Sequence, residues 1–357
     1  MPIPDSINAR AESSISIIGI PIGPDAYTIC YYAALTTCGA SVNQGDLSGR
    51  WLSHQRGSAN YLHLNWPSFH YQNKSAMVSL VKFCRFAILL IYARLCGLQL
   101  LWTAHNLYPH DDNRVPGLHW LGRRLVIFLS HKIFVHGTYA AATVAREFAG
   151  AANKLTVIPH GHWIDYYPNT LSREAARARL GIPSDQTVFL FVGLCKQYKN
   201  LEYLISTFQS ASLANSALWI VGTFPDDEYF ARVKALQARL PDGIYIEPRF
   251  IPDDELQLYL KSCSVVVLPY MDILTSGSAM LAIGFGRPVV APCIGHLRDV
   301  IDSTCGVLYD PSEPDGLARA MHVARDRDFD ETLIQDHART YTWHEAATTS
   351  IGAISKR

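Results

Sequence analysis

Short apolar runs alternate with helical patterns along the whole chain. Between the runs, apolar residues recur three and four positions apart, as Leu201, Leu204, Ile205 and Phe208 do, which is the spacing of a buried helix face. This alternation predicts parallel sheets with crossover helices. The runs predicted as strands are Ile15–Ile18, Tyr61–Leu64, Leu98–Thr103, Lys132–Val135, Leu155–Ile158, Thr187–Val192, Ala217–Val221, Ile244–Glu247, Ser264–Leu268, Pro288–Ala291 and Gly306–Tyr309.

The strand series is long enough for two sheets, and 357 residues suit two domains of ordinary size. The best boundary lies in residues 160–180, where the chain leaves a strand, turns at Pro168 and Asn169 and starts a helix. We therefore expect an α/β protein with one Rossmann-like domain over residues 1–168 and a second over 169–341. A last helix, residues 342–357, is expected to pack back on the first domain.

Charge and composition exclude some classes of function. Lys plus Arg and Asp plus Glu both number 31, so the net charge is zero, which argues against nucleic-acid binding by bulk charge. The polar N-terminal segment does not have the shape of a signal peptide, so we expect a cytoplasmic protein.

An apolar stretch, Leu80–Trp102, raises the question of a membrane. Lys82, Arg85 and Arg94 interrupt it, and no charge-free run there approaches the ~20 residues of a spanning helix. We interpret the stretch as a core helix followed by a buried strand. The alternative is a basic, apolar helix that lies on the inner face of the cell membrane.

Two turns of the second domain are suited to an anion. A glycine, Gly193, ends the strand 187–192, and Lys196 and Lys199 follow before a helix begins. After the strand 264–268, Ser276, Gly277 and Ser278 form a polar turn before an apolar helix. Backbone N–H groups at such turns point at an anion, and lysines add positive charge. Solvated lysines and an ordinary helix cap are the alternatives, but two such turns in one domain favour a shared phosphate ligand.

Histidine clusters follow predicted strands in the first half of the chain. They contain His63, then His105 and Asn106 with Asp111 and Asp112, and then His160, Gly161 and His162. A single such histidine is commonly structural, whereas three groups at one sheet edge suggest a polar pocket that binds sugar hydroxyls or moves a proton. Their spacing matches no standard zinc pattern, so we predict no metal site.

These segments together resemble bacterial GT-B glycosyltransferases, and among them the β-mannosyltransferases of xanthan-type exopolysaccharide assembly. The segments that carry the resemblance occur in the same order in both domains. They are LHLNWP (62–67), TAHNLYPHDD (103–112), IPHGHWIDYYPN (158–169), GLCKQYKN (193–200) and VVLPYMDILTSGSAMLAIGFGRPVVAP (266–292).

The resemblance implies two Rossmann-like domains that face each other across a cleft, with the acceptor on the first and the nucleotide sugar on the second. It places the donor diphosphate at Gly193, Lys196, Lys199 and the Ser276–Ser278 turn. Phe250 and Ile251 stand where such enzymes contact the base, and His105 lies near the transferred sugar. His63, Asn106, His160, Gly161 and His162 would line the sugar and acceptor pocket.

The implied reaction transfers mannose from GDP-mannose to a lipid-linked oligosaccharide at a membrane surface. Many retaining relatives carry two glutamates where this chain has Ile273 and Leu281, which favours an inverting reaction. A base would deprotonate the acceptor hydroxyl, and Asp25, His105, Asp111 and Asp112 are the candidates. Because the lysines supply positive charge, neither a metal nor a cofactor is expected beside the sugar nucleotide.

Three other functions remain open from the sequence. A retaining hexosyltransferase of the same fold would use a UDP-sugar. A catalytically idle subunit that binds sugar nucleotides would fit the missing glutamates, although the lysines and the Ser-Gly-Ser turn argue against it. A dehydrogenase is disfavoured because no G-x-G-x-x-G segment follows a strand.

Overall fold

The computed structural model describes residues 15–20, 25–109, 115, 117–239 and 243–355. They divide into two compact units, each built around its own sheet. Unit 1 holds the described residues up to 135, residues 144–158 and those from 343 onward, and unit 2 holds residues 136–143 and 159–342.

The strands are β1 (Ser16–Ile20), β2 (Ser41–Gln44), β3 (Tyr61–Leu64), β4 (Gln99–Thr103), β5 (Ser130–His136), β6 (Leu155–Ile158), β7 (Thr187–Val192), β8 (Ser216–Val221), β9 (Ile244–Glu247), β10 (Val265–Val267), β11 (Val289–Pro292) and β12 (Gly306–Tyr309). The helices are α1 (Ala26–Thr37), α2 (Gly49–His54), α3 (Ala76–Leu95), α4 (Leu118–Leu129), α5 (Thr138–Glu147), α6 (Arg173–Leu180), α7 (Leu201–Ser210), α8 (Asp227–Arg239), α9 (Leu256–Ser262), α10 (Gly277–Gly284), α11 (Leu297–Val300), α12 (Gly316–Asp326), α13 (Glu331–Arg339) and α14 (Trp343–Ser355).

Strand order differs between the two sheets. In unit 1 it is β2-β1-β3-β4-β5-β6, and in unit 2 it is β12-β11-β10-β7-β8-β9. The strands on either side of β7 pair with it in parallel, and so do those on either side of β1. In each sheet the order in which strands are added reverses at one point. This point lies between β1 and β3 in unit 1 and between β7 and β10 in unit 2. Ligands of open α/β sheets bind at the carboxyl ends of the strands at this switch point.

The predicted strands all form, several of them with the predicted bounds. One strand escaped prediction: β2, with the sequence SVNQ, lies at the sheet edge and is largely exposed, so it lacks a buried apolar pattern. The domain boundary also differs, because Pro159–Pro168 packs with unit 2 and not with the first domain. Helix α14 packs on α1 in unit 1, where Tyr31 donates a hydrogen bond of 2.6 Å to Ser350.

Candidate functional site

The two anion-suited turns of unit 2 come together at its switch point. Gly193 follows β7 and has a φ of +134°, a conformation that favours glycine. A Cβ added at Gly193 would lie 3.5 Å from Oγ of Ser278, which stands at the start of α10 after β10. Gly193 and Ser278, which were predicted from separate segments, therefore lie next to each other at the edge of the sheet.

A second glycine, Gly222, directly follows β8 and packs against the backbone of Gly193. Its φ is +146°, and an added Cβ would overlap the carbonyl oxygen of Gly193. The N–H of Cys195 also donates to the carbonyl of Thr223 at 2.8 Å. The backbone of residues 193–195 is thus held by the next strand of the sheet.

Lys199 is a buried cation at this site. The residue is only 8% exposed. Its Nζ lies 3.7 Å from the ring centre of Tyr270 and 4.9 Å from that of Tyr198. Burial acts to lower the pKa of Lys199, but the phenols of Tyr270 and Tyr198 more than offset it, so the pKa is raised and the ammonium is charged. Within the described residues no carboxylate forms an ion pair with it. A buried ammonium without a carboxylate is costly unless an anion completes its surroundings.

The turn that carries the lysines is joined to the loop after β10. The N–H of Met271 donates to the carbonyl of Tyr198 at 2.9 Å. Lys196 precedes the short 3₁₀ turn 197–199 and is half-buried. Both predicted lysines therefore belong to the same edge of the sheet, Lys199 inside it and Lys196 nearer to solvent.

Ser276 caps helix α10 and orients its N-terminus. Its Oγ accepts a hydrogen bond of 3.2 Å from the N–H of Ala279, and the side chain is buried. Gly277 and Ser278 are the first residues of the helix, whose initial N–H groups have no partner within the helix. Trp163 supports the turn, because its Nε1 donates to the carbonyl of Gly277 at 3.1 Å. The arrangement presents a helix N-terminus to an anion.

Three buried histidines stand behind this turn: His136, His160 and His296. The ring centres of His160 and His136 are 5.0 Å apart, and those of His160 and His296 are 6.0 Å apart. Nε2 of His160 lies 3.9 Å from the position of a Cβ on Gly277. Burial lowers the pKa of His160 to about 4 and that of His296 to about 3, so both rings are neutral.

This position corrects one prediction. His160, Gly161 and His162 were expected in the pocket of the first domain, but they belong to unit 2. The N–H of His162 donates to the carbonyl of Tyr341 at 2.8 Å, and its ring is half-buried. Sequence reasoning overlooked His136 and His296, because neither lies in a recognisable motif; only their contact with His160 reveals them.

In unit 1, His63 does not have the expected role. It is 1% exposed, with Nδ1 3.1 Å from the hydroxyl of Tyr32 and Nε2 2.9 Å from that of Thr103. Burial lowers its pKa to about 3. Because both ring nitrogens have protein partners, His63 is a buried structural histidine and not a sugar contact.

His105 has a different environment from His63. Its Nε2 lies 3.1 Å from Oδ1 of Asn65, and its ring stacks on Trp66 with centres 4.6 Å apart. Tyr27, at the start of α1, meets the ring edge-on at 4.4 Å. These contacts fix the imidazole at the carboxyl ends of β3 and β4, beside the switch point of unit 1. Asn106 is the next residue and is partly exposed.

Of the three aspartates predicted as candidate bases, the structure describes Asp25 alone. Asp25 caps α1: its carboxylate accepts from the N–H of Thr28 at 3.0 Å and from the Thr28 hydroxyl at 2.7 Å. The cap gives Asp25 a structural role at the start of α1, and its role as a base stays a prediction. Asp111 and Asp112 lie outside the described residues.

The residue pair predicted at the nucleobase is split by exposure. Phe250 is 72% exposed, whereas Ile251 is 7% exposed. Arg249 anchors the segment through Glu247 at 2.8 Å and Glu255 at 2.6 Å. Phe250 is therefore the one of the two whose side chain is accessible, and its contact with a base stays a prediction.

One trio of described residues has metal-ligand spacing: Asp302, Cys305 and His337. Asp302 Oδ1 accepts from the N–H of Thr304 at 2.8 Å, and Nε2 of His337 lies 2.8 Å from the carbonyl of Val300. These local hydrogen bonds account for the trio as the anchor of the loop between α11 and β12.

A family model matches much of unit 2. Residues 186–324 match the model of the glycosyl transferases group 1, and this range contains both turns and Lys199. It begins one residue before β7 and ends within α12, so it covers the whole sheet of unit 2.

Several curated relatives share sequence with this chain. The GDP-mannose:glycolipid 4-beta-D-mannosyltransferase of Xanthomonas campestris is 28% identical over 234 residues, which is 65% of this chain and 60% of the relative. A D-inositol 3-phosphate glycosyltransferase of Streptomyces avermitilis is 27% identical over 259 residues, which is 66% of this chain and 54% of the relative. The matches thus span less than two thirds of the length of these relatives, 60% and 54%.

Solved structures show the same fold over almost the whole chain. The sucrose-phosphate synthase of Thermosynechococcus elongatus aligns with a TM-score of 0.74 at 18% identity, covering 96% of this chain and 98% of that one. HepE of Anabaena in complex with UDP-glucose aligns with a TM-score of 0.72 at 15% identity, covering 96% and 100%. The chain has the GT-B fold, and residues 186–324 are similar to the glycosyl transferases group 1.

Proposed function

We propose that this protein is an enzyme that transfers a hexose, mannose from GDP-mannose, to a lipid-linked oligosaccharide in exopolysaccharide synthesis. The observation that carries the proposal is Lys199, a buried ammonium without a described carboxylate partner, beside two turns that present backbone N–H groups. A nucleoside diphosphate would supply the missing negative charge. The site lies at the switch point of a sheet that matches a glycosyltransferase model.

The proposed reaction is a displacement at the anomeric carbon of the donor sugar. A base takes the proton of the acceptor hydroxyl, the new C–O bond forms, and the bond to the diphosphate oxygen breaks. Lys199, Lys196 and the N-terminus of α10 stabilise the departing diphosphate. Because these groups supply the charge, the proposal requires neither a metal nor a cofactor.

We assign the base to His105 among the described candidates. Asn65 and Trp66 hold its ring in one orientation, whereas the carboxylate of Asp25 is engaged as a helix cap. A histidine in neutral form at neutral pH can accept the proton.

Two observations support the mannose donor and the inverting course. The Xanthomonas relative is named for GDP-mannose and a glycolipid. Ile273 and Leu281 replace the paired glutamates of retaining enzymes, and Ile273 is buried, so no carboxylate from these positions binds the donor sugar.

Donor selectivity tests the proposal. We expect calorimetric titration without added metal to show binding of GDP-mannose at one site per chain, and weaker binding of UDP-glucose and UDP-glucuronate. Preference for a UDP-sugar would contradict the assigned donor while leaving the diphosphate site intact. Failure of all three to bind at millimolar concentration would contradict the proposed transferase.

A further inference from the structure

Helix α3 buries one narrow stripe against unit 1. The buried residues are Ser79, Phe86, Leu90 and Ala93, which follow one another at helical spacing. Phe86 stacks on His70 with ring centres 5.5 Å apart and packs against Tyr71 at the same distance. This stripe fixes the helix on the body of unit 1.

The opposite side of α3 is apolar and faces solvent. Its residues succeed one another at intervals of four and three, so they share one face of the helix, which we name the outer stripe. Ile88 and Leu95 are 65% and 75% exposed. The outer stripe consists of Met77, Val81, Cys84, Ile88, Ile91 and Leu95.

Length and hydropathy set α3 apart. Among the described helices, α3 alone has the length and the apolar composition that a membrane-spanning helix needs, with a mean hydropathy of 1.9 over 18 residues. However, only 28% of that window is buried. A helix that spanned the bilayer would have to leave the core and lose the contacts of Phe86 and Leu90, each worth about 1.5–3 kcal/mol. An orientation parallel to the surface keeps them.

The charged side chains that α3 and α4 themselves carry are of one sign. Neither α3 nor α4 contains an aspartate or glutamate. Arg85 is exposed at the border of the stripe, and Lys82 is exposed one turn before Arg85. The neighbouring helix α4 exposes Phe128 and Trp120, and the guanidinium of Arg124 lies 4.7 Å from the ring centre of Trp120. Apolar side chains beside cations match the acyl and anionic headgroup layers of a lipid surface.

We propose that the outer stripe of α3 docks unit 1 on an anionic membrane, with the helix parallel to the surface. The inference deepens the proposed function, on which it rests: a lipid-linked acceptor is anchored in the same surface that the stripe would enter. Lys82 and Arg85 bind headgroups, and the stripe enters the boundary of the acyl layer.

Vesicle sedimentation tests the docking. We expect the full chain to sediment with vesicles of phosphatidylcholine and phosphatidylglycerol and much less with phosphatidylcholine alone. Val81→Glu combined with Ile88→Glu places two charges in the stripe and should weaken binding at least about tenfold. Val323→Glu combined with Leu333→Glu makes the same change at two exposed positions of unit 2 and should leave it unaltered. Equal binding by both double variants would overturn the proposal.

The two cations of α3, Lys82 and Arg85, are tested separately from the apolar stripe. Lys82→Gln combined with Arg85→Gln should weaken binding to the anionic vesicles severalfold at low salt and reduce its dependence on salt. The competing occupant of the stripe is a second copy of this chain, and sedimentation velocity without vesicles tests for it. A wild-type dimer that Val81→Glu combined with Ile88→Glu converts to a monomer would overturn the proposal.

Cys84 offers a direct readout within the stripe. It is the exposed cysteine among those described, so an environment-sensitive maleimide dye can report on it, with Cys84→Ser as the control for labelling elsewhere. We expect its emission to shift to the blue with anionic vesicles. An unchanged emission would overturn the proposed insertion. Sugar-nucleotide binding, measured without vesicles, should be the same in the wild type and all stripe variants, so failure of docking is distinguishable from failure of the proposed enzyme.

Discussion

The candidate regions of the two units are built in different ways. In unit 2, backbone turns at Gly193 and Ser276–Ser278, with one buried lysine, form a surface for an anion. In unit 1, His105 is enclosed by the rings of Tyr27 and Trp66, which come from separate elements. A diphosphate needs charge and N–H groups, which short motifs encode, whereas a pocket of aromatic side chains depends on the packing of distant segments.

The difference is also visible in what each unit resembles. The family model matches residues 186–324, inside unit 2, while the fold as a whole aligns with the sucrose-phosphate synthase and HepE structures at 14–18% identity. The matched range contains Gly193, Lys199 and Ser276–Ser278 and no residue of unit 1.

The largest expected effect comes from the backbone of the unit 2 turn. Gly222→Ala should lower the free energy of unfolding by about 3 kcal/mol or more, because φ is +146° and the new Cβ meets the Gly193 carbonyl. Urea denaturation measures it. Gly352→Ala in α14, where an added Cβ meets nothing within 4 Å, is the matched control and should be neutral or stabilising. Equal stability of the two variants would show that the turn is not held as described.

Next comes the histidine of unit 1. His105→Ala should reduce kcat by about a hundredfold or more, with little change in the affinity for GDP-mannose, because a general base acts on the acceptor. Steady-state kinetics and calorimetry separate the two quantities, and His54→Ala at an exposed position of α2 serves as the control. A loss of donor affinity with kcat preserved would instead place His105 in the donor site.

Stability should depend on pH through the buried histidines of both units. Burial lowers the pKa of His63 and His296 to about 3 and that of His160 to about 4, below the ordinary value of about 6.5. The folded state therefore binds fewer protons than the unfolded state between these values. The stabilisation from each ring is complete above pH ~6.5 and is lost as the pH falls toward its folded-state pKa. Between pH 7 and pH 5 the loss is about 2 kcal/mol for each histidine, or about 6 kcal/mol for the three.

Urea denaturation across this pH range measures the dependence, and His296→Asn should make it shallower. His54→Asn, at an exposed position, should not alter the slope. A flat stability profile from pH 7 to pH 5 would show that the three rings are not neutral and buried.

The smallest expected effect separates capping from binding. Ser276→Ala and Ser172→Ala each remove an N-cap hydroxyl that accepts from a helix N–H at 3.2 Å. Each should cost about 1 kcal/mol of stability. Only Ser276→Ala, at the start of α10, should also weaken GDP-mannose binding, severalfold, because it loosens the donor turn. Equal affinities in the two variants would leave Ser276 as a cap alone.

Continuous apolar runs made much of the fold predictable. Thr187–Val192 is buried on both faces and forms β7 with the predicted bounds. The exposed edge strand Ser41–Gln44 carries no such pattern. The place of His160 was mispredicted because the unit that a segment joins depends on tertiary contacts with His136 and His296.

At the candidate site, residue types were predictable and their environments were not. Glycine, lysine and serine after strand ends indicated an anion site, and the switch point brings these segments together. The burial of Lys199 under Tyr270 and the support of Gly193 by Gly222 come from contacts between residues distant in sequence. No local pattern encodes them.

The central claim is that Lys199 completes a diphosphate site in unit 2. Calorimetric titration of GDP-mannose into the wild type, Lys199→Met and Lys234→Met tests it most directly. Lys199→Met keeps the length of the buried side chain without its charge, and Lys234→Met makes the same change on the exposed face of α8. We expect the Kd to rise at least about tenfold in Lys199→Met and to stay at the wild-type value in Lys234→Met. A folded Lys199→Met variant that binds GDP-mannose as tightly as the wild type would contradict the claim.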